Sequence, residues 1–215
     1  MRKVIYTSMI RKGADKKLQL SEPQVANKDW EHICFTDDKT LKSKTWQIRY
    51  VTNGKLSARK ESRRYNILND HYLPEYGLSI YMDCRFYINC NLSKLVKTYL
   101  TKGYNIAMMH SPKRQCIYEE IKHCLKHTQC PPHQLKKQRR KYLEEKVPSG
   151  IGLYRCGLLV RRHNIKQLTN FMESWFTELK NESERDTISF RYTLWKNPIK
   201  ISVMPTKKVY RMFCK

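Results

Sequence analysis

Carboxylates and arginines stand in this chain where chemistry would need them. In SIYMDCRFYINCNL (79–92) the run Ser79-Ile80-Tyr81-Met82 stops abruptly at Asp83. An aspartate inside a strand is costly unless something pairs with it. Asp83 therefore either caps a turn or ends a strand, where a cation or a substrate meets it. Arg59 and Arg63 lie four apart in a segment of helical period, so both can reach one anion or belong to a solvated basic face. Asp186 enters a late helix, where a carboxylate also steadies the helix dipole. Thr36-Asp37-Asp38 closes an early apolar run and reads equally as a turn cluster or as acids that face a ligand. His110 and Arg114, in HSPKR, belong to a cleft or to a surface loop.

The elements that must position these residues alternate in type. Runs rich in β-formers cover 4–10, 30–35, 46–51, 79–82, 104–109, 153–160 (with Gly157 inside) and 201–204. Helical periodicity covers 57–73, 92–100, 116–127, 133–146, a stretch capped by Asn164 and running to about 180, and 185–195. Asn53-Gly54 signals a turn after the third strand. Strands alternating with helices imply an α/β layer fold with a mostly parallel sheet, formed as one domain over 1–215. Ligands of such sheets settle at the carboxyl ends of strands. Thr7-Ser8, Thr36-Asp37-Asp38, Asp83 and His110 all fall there, which implies one shared cleft.

The charge balance is lopsided: 43 Lys+Arg against 19 Asp+Glu, a formal +24. Such an excess favours polyanions, phosphates or anionic surfaces. No stretch reaches the ~18 apolar residues of a membrane span, and the N-terminus lacks a cleavage site after its short apolar run. Eight cysteines without a secretory signal read as reduced thiols, and a cytoplasmic setting is expected. Cys116, His123, Cys124, His127, Cys130 and His133 supply the residue types of a zinc site, but their spacing matches no common finger. RKESRRY (59–65) and KKQRRKYLEEK (136–146) offer basic surface, either to nucleic acid or to an anionic membrane at its periphery. No RNA-recognition signature, helix-turn-helix or zinc-finger pattern accompanies them. A solvated basic face is the plainer reading, and nucleic acid is not the expected partner.

Six segments together resemble a family. ICFTDD (33–38), SARKESRRYNIL (57–68), SIYMD (79–83), HSPKRQCIYEE (110–120), GLYRCGLLVRRHN (152–164) and SERDTISFRYTLWK (183–196) occur in the order and spacing of a glycosyltransferase-like family. That family includes bacterial polysaccharide-cluster proteins and plant proteins linked to cell-wall polysaccharide synthesis. The chain is also similar in plan to glycosyltransferase domains of large algal viruses. The resemblance covers nearly the whole chain and implies a single-domain GT-A, Rossmann-like fold with a mostly parallel mixed sheet flanked by helices. It implies a nucleotide-sugar donor, a UDP-sugar first, a glycan or glycoprotein acceptor, and Mn²⁺ or Mg²⁺.

Carried over position by position, Asp83 would hold the metal, Thr7 and Asp37 the nucleoside, and Arg59 and Arg63 the diphosphate. His110 would line the cleft, and Asp186 would act on the reacting sugar or the acceptor. The triplet Asp83-Cys84-Arg85 departs from the family's usual Asp-Gly-Asn. Arg85 could itself neutralise phosphate, or a metal could rest on Asp83, phosphates and water. The alternative from another class is a non-catalytic, basic nucleic-acid-binding protein.

Overall fold

Seven strands form one sheet in the order β3-β2-β1-β4-β6-β5-β7. They are β1 (Lys3–Met9), β2 (Glu31–Thr36), β3 (Gln47–Tyr50), β4 (Leu78–Met82), β5 (Ile106–His110), β6 (Tyr154–Arg162) and β7 (Ile201–Met204). The structure, a computed structural model, describes residues 1–13, 19–52, 54–127 and 130–213. Asn53 of the expected turn lies outside them. β1 runs parallel to β2 and β4, β2 to β3, and β5 to β7. Only β6, between β4 and β5, is antiparallel to its neighbours. The carboxyl ends of β1, β2, β4 and β5 therefore share one edge.

Helices cover both faces: α1 (Ala58–Ile67), α2 (Asn69–Tyr72), α3 (Leu92–Tyr99), α4 (Ile117–Lys126), α5 (Pro132–Glu144), α6 (Lys166–Asn181), α7 (Asp186–Lys196) and α8 (Thr206–Phe213). One face of the sheet buries Ile5, Ile80 and Val160 against Leu95 and Tyr99 of α3 and Val209 and Phe213 of α8. The other buries Val4, Tyr6 and Leu159 against Tyr65 of α1, Trp175 of α6 and Phe190 of α7. A third cluster, with Ile121, Leu135 and Ile188, ties α4 and α5 to α7. The layering is that of an α/β domain with helices on both faces.

The helix expected over 57–73 breaks at Leu68 into α1 and α2. Ser57 caps α1 by accepting the Lys60 amide. At its other end the guanidinium of Arg161, fully buried in β6, donates to the carbonyls of Asn66 (2.8 Å) and Ile67 (3.4 Å) and to the Tyr6 hydroxyl. A cation at a helix carboxyl end meets the dipole's negative pole. Lys60, also buried, binds the carbonyls of Lys180 (3.0 Å) and Glu182 (2.5 Å) where α6 ends.

Two expectations are corrected here. Asn164 does not cap α6: it adopts φ +58° and its side-chain amide donates to the Pro74 carbonyl. The last strand leads into α8, which the sequence reading did not include. The seven described cysteines are free thiols, as expected.

Candidate active site

Every residue of β4 is buried, and Asp83 is the first residue beyond it. Asp83 stands at a turn that ends the strand. Its amide donates to the Gly157 carbonyl at 2.8 Å and its carbonyl accepts from Phe86 at 2.9 Å, so the backbone turns there. Its side chain faces the carboxyl edge of the sheet. Oδ1 accepts from Arg63 Nη1 and from the Tyr81 hydroxyl, each at 3.0 Å, and Oδ2 from Arg85 Nη2 at 3.2 Å. Burial, and then the Asp83 charge, push Tyr81 well above the usual phenol range, which keeps it a donor. Gly157 makes room for the carboxylate: a Cβ there would lie 2.8 Å from Asp83 Oδ2.

Arg63 joins this acid to a second one. Its Nε lies 2.7 Å from Asp186 Oδ2, an ion pair without the alignment of a hydrogen bond. Asp186 opens α7, is buried, and its Oδ1 accepts the Thr187 amide at 2.8 Å. Two carboxylates about one hundred residues apart in sequence thus flank one guanidinium.

This junction lies where two hollows meet. One, of about 540 Å³, rises over β1 and α1 and is lined by Ser8, Ile10, Ala58, Arg59 and Ser62. The other, of about 630 Å³, opens toward β6 and α8 and is lined by Ser111, Lys113, Arg114, Arg155, Thr187 and Tyr210. Arg63, Asp83, Arg85, Arg185 and Asp186 line both. Glu120 sits at the base of the second hollow, gripped by Arg114 and by Arg185, whose Nη2 is 2.7 Å away. Burial raises the Glu120 carboxyl, but the two arginines outweigh it and hold the group below its usual range. A further hollow of about 500 Å³, lined by Asn105, Gln167 and Lys200, has no carboxylate in its lining among the described residues.

A family model described as TOD1/MUCI70, glycosyltransferase-like domain, matches residues 24–214. The chain belongs to this family. No curated protein matches the sequence. Among solved structures, the apo form of mouse xyloside xylosyltransferase 1 aligns with a TM-score of 0.53 at 11% identity, over 94% of this chain and 84% of that one. The apo structure of WbbM, a bifunctional glycosyltransferase, aligns at 0.50 and 10% identity, over 94% of this chain and 38% of that one. The chain therefore spans well under half of WbbM. At these identities the likeness shows the fold, a GT-A-like one.

Within this glycosyltransferase-like domain, the expected site residues separate into two groups. Asp83, Asp186, Arg63 and Arg59 line the hollows, and Arg114 joins them. Arg63 faces the two acids rather than standing clear for a diphosphate. Thr7 is corrected: it is fully buried, on the opposite face of β1 from Ser8, whose hydroxyl meets Ser62 beside the first hollow. Asp37 is corrected too. Its two oxygens accept the amides of Arg11 (2.8 Å) and Lys12 (2.7 Å), so it ties down the loop after β1 and lines neither hollow. His110 ends β5 with its ring edge-on to Tyr154 at 4.6 Å, outside both linings.

The donor set does not fit the Mn²⁺ or Mg²⁺ that the resemblance implies at Asp83. One or two carboxylates with phosphates and waters suffice for such a cation only where a carboxylate oxygen stands open to it, whereas here guanidinium groups and a phenol occupy the Asp83 oxygens and Arg63 faces Asp186. Among the described residues no three His, Cys, Asp or Glu side chains converge, the candidate zinc cluster included. The basic run at 59–65 is no continuous surface either, since Lys60 is buried and Arg63 turns inward. Sequence reasoning missed Tyr81, Glu120, Arg155 and Tyr210 as parts of the site. Arg155 and Glu120 did lie in two of the quoted segments, but nothing local marks a cleft-facing side chain.

Proposed function

We propose that this domain transfers a hexose or deoxyhexose from a nucleotide diphosphate sugar, a UDP-sugar first, to a hydroxyl of a glycan or glycoprotein. One observation carries the reading: Asp83 and Asp186 flank Arg63 at the mouth shared by two hollows, on the carboxyl edge of a GT-A-like sheet. Ligands of open α/β sheets bind at that edge. The hollow over β1 offers a nucleoside apolar contact from Ile10 and Ala58, hydroxyls from Ser8 and Ser62, and charge from Arg59.

In the transfer, the acceptor oxygen bonds to the anomeric carbon as the bond from that carbon to the diphosphate breaks. The acceptor's proton needs a base, and Asp186 is the carboxylate at the junction with that role, or it orients the donor sugar. Arg63 pins its position.

The test is a panel of nucleotide sugars offered with glycan acceptors, followed by release of nucleoside diphosphate. A UDP-sugar should give turnover, and Asp186→Asn should lower it about 100-fold or more while a cooperative unfolding transition persists. Turnover with no donor, or a variant as active as wild type, would sink the reading.

A further inference from the structure

The β6-side hollow holds more positive charge than its own acids can answer. Arg155, on β6, lines it with its guanidinium 5.2 Å from the centroid of the Tyr210 ring. Among the described residues no carboxylate lies within ion-pair distance of Arg155. Burial first, and then the charges of Arg85, Arg114 and Arg185, lower its pKa, against the opposing pull of Glu120. Glu120 is already bound to Arg114 and Arg185. Lys113 adds a further charge to the same wall. Like charges gathered along one wall repel one another, and a multiply charged anion reverses the sign of that interaction. Beside this wall, the Asp83 oxygens face guanidiniums where a cation would need them open.

We propose that Arg85, Arg155 and Arg185 bind the donor's diphosphate directly and neutralise it without a divalent cation. The proposal rests on the nucleotide-sugar reading. As the bond to the anomeric carbon breaks, its electron pair stays on the β-phosphate oxygen, and guanidinium N–H groups donate hydrogen bonds to the new charge. The arginines stay protonated throughout, because guanidinium does not lose its proton in proteins. The acceptor's proton leaves by the separate route through Asp186.

Calorimetric titration of the whole chain separates the cases. Inorganic pyrophosphate is titrated in EDTA, and UDP both in EDTA and in Mn²⁺. Pyrophosphate should bind in EDTA, UDP should bind more tightly, and Mn²⁺ should change UDP affinity by less than about threefold. Arg155→Gln should weaken both ligands about tenfold or more, the scale of one charge-assisted contact. Arg85→Gln should weaken them by a smaller factor. The Arg85 side chain is 76% exposed, so this second variant is safe against misfolding. Arg140→Gln on the exposed face of α5 removes the same charge far from the hollow and should leave binding as it was.

Asp83→Asn gives opposite signs in the two cases. If arginines hold the diphosphate, losing a nearby negative charge tightens binding; if a cation bridges to Asp83, the same change abolishes it. UDP that binds only with Mn²⁺, and is lost in Asp83→Asn, would overturn the arginine proposal and leave the nucleotide-sugar reading standing. Pyrophosphate that binds as expected while UDP gains nothing over it would keep the anion site and remove the donor reading. No binding of either ligand overturns the proposal.

Discussion

Two arginines turned in from the solvent, Arg161, fully buried, and Arg63, with its side chain 17% exposed, are held in opposite ways. Arg161 is sealed from solvent, and its oxygen partners are two carbonyls at the end of α1 and the Tyr6 hydroxyl, with the Met172 sulfur at 3.8 Å. Arg63 is held by the carboxylates of Asp83 and Asp186, beside open hollows. Carbonyls at a helix end have no other role to play, so Arg161 is a fixture. Carboxylates that border a cleft can be shared with a substrate. Burial alone does not separate a structural cation from a functional one; the partners and what lies beyond them do.

The same substitution at both positions breaks the comparison if it is false. Arg63→Lys keeps the charge but loses the planar fork that reaches both acids. It should lower transfer about 100-fold and stability by only about 1 kcal/mol. Arg161→Lys cannot reach three acceptors from one ammonium. It should cost about 2 kcal/mol, roughly 4–8 °C in Tm, with turnover per folded molecule within about twofold of wild type. Steady-state kinetics and thermal unfolding of the pair read both effects. Equal rate losses would erase the distinction.

A smaller effect sharpens the structural side. His163 is buried near Arg161, with Nε2 3.0 Å from Asn69 Nδ2 and Nδ1 3.2 Å from the Leu73 carbonyl. Its pKa is pushed down to about 4 by burial first and by the Arg161 charge second, against the opposing pull of Asp70 and Glu75. The unfolded imidazole takes a proton at about 6.5, which the folded one refuses. Stability from this residue is therefore complete above about 6.5 and is lost as pH falls toward 4. The loss at pH 5 should be about 2 kcal/mol. Urea unfolding at pH 7 and pH 5 should show a smaller difference in His163→Gln. An unchanged pH slope would mean that the carboxylates alone set it.

The sequence made the outline of this molecule legible and left its contacts obscure. Apolar runs located every strand, and six helical periods covered α1 to α7, because burial leaves an apolar signature in the elements that form the core. The direction of β6 was not legible: α4 and α5 intervene after β5, and no hairpin signal marks antiparallel pairing. α8 was missed although Val209 and Phe213, four apart, gave a short apolar stripe. In the site, Asp83 was marked by the abrupt end of β4. Thr7 rested on the family resemblance, and a strand buried on both faces does not say whether Thr7 or Ser8 meets the cleft. Asp37 looked like a ligand because an acid after a strand has the same local pattern whether it meets a nucleoside or two backbone amides. The Arg63 bridge had no local signal at all, since its partners lie 20 and 123 residues away.

Gly157 offers the mildest test, on the functional side. The sequence showed a glycine inside a strand without showing why. Its backbone does not need a positive φ, so alanine is tolerated conformationally and even favoured in a strand interior. The added Cβ would meet Asp83 Oδ2 at 2.8 Å and Phe86 Cε2 at 3.4 Å. A free carboxylate would simply rotate away, but this one is bound at Oδ1 by Arg63 and Tyr81. The shift must then pass to Arg63 and through it to Asp186. Gly157→Ala should change stability by less than about 1 kcal/mol and lower transfer about tenfold, since small displacements in a reacting geometry are costly. Kinetics of Gly157→Ala beside its unfolding curve decide it. Full activity would mean that Asp83 can move without consequence, and would leave Asp186 as the one carboxylate whose place the chemistry requires.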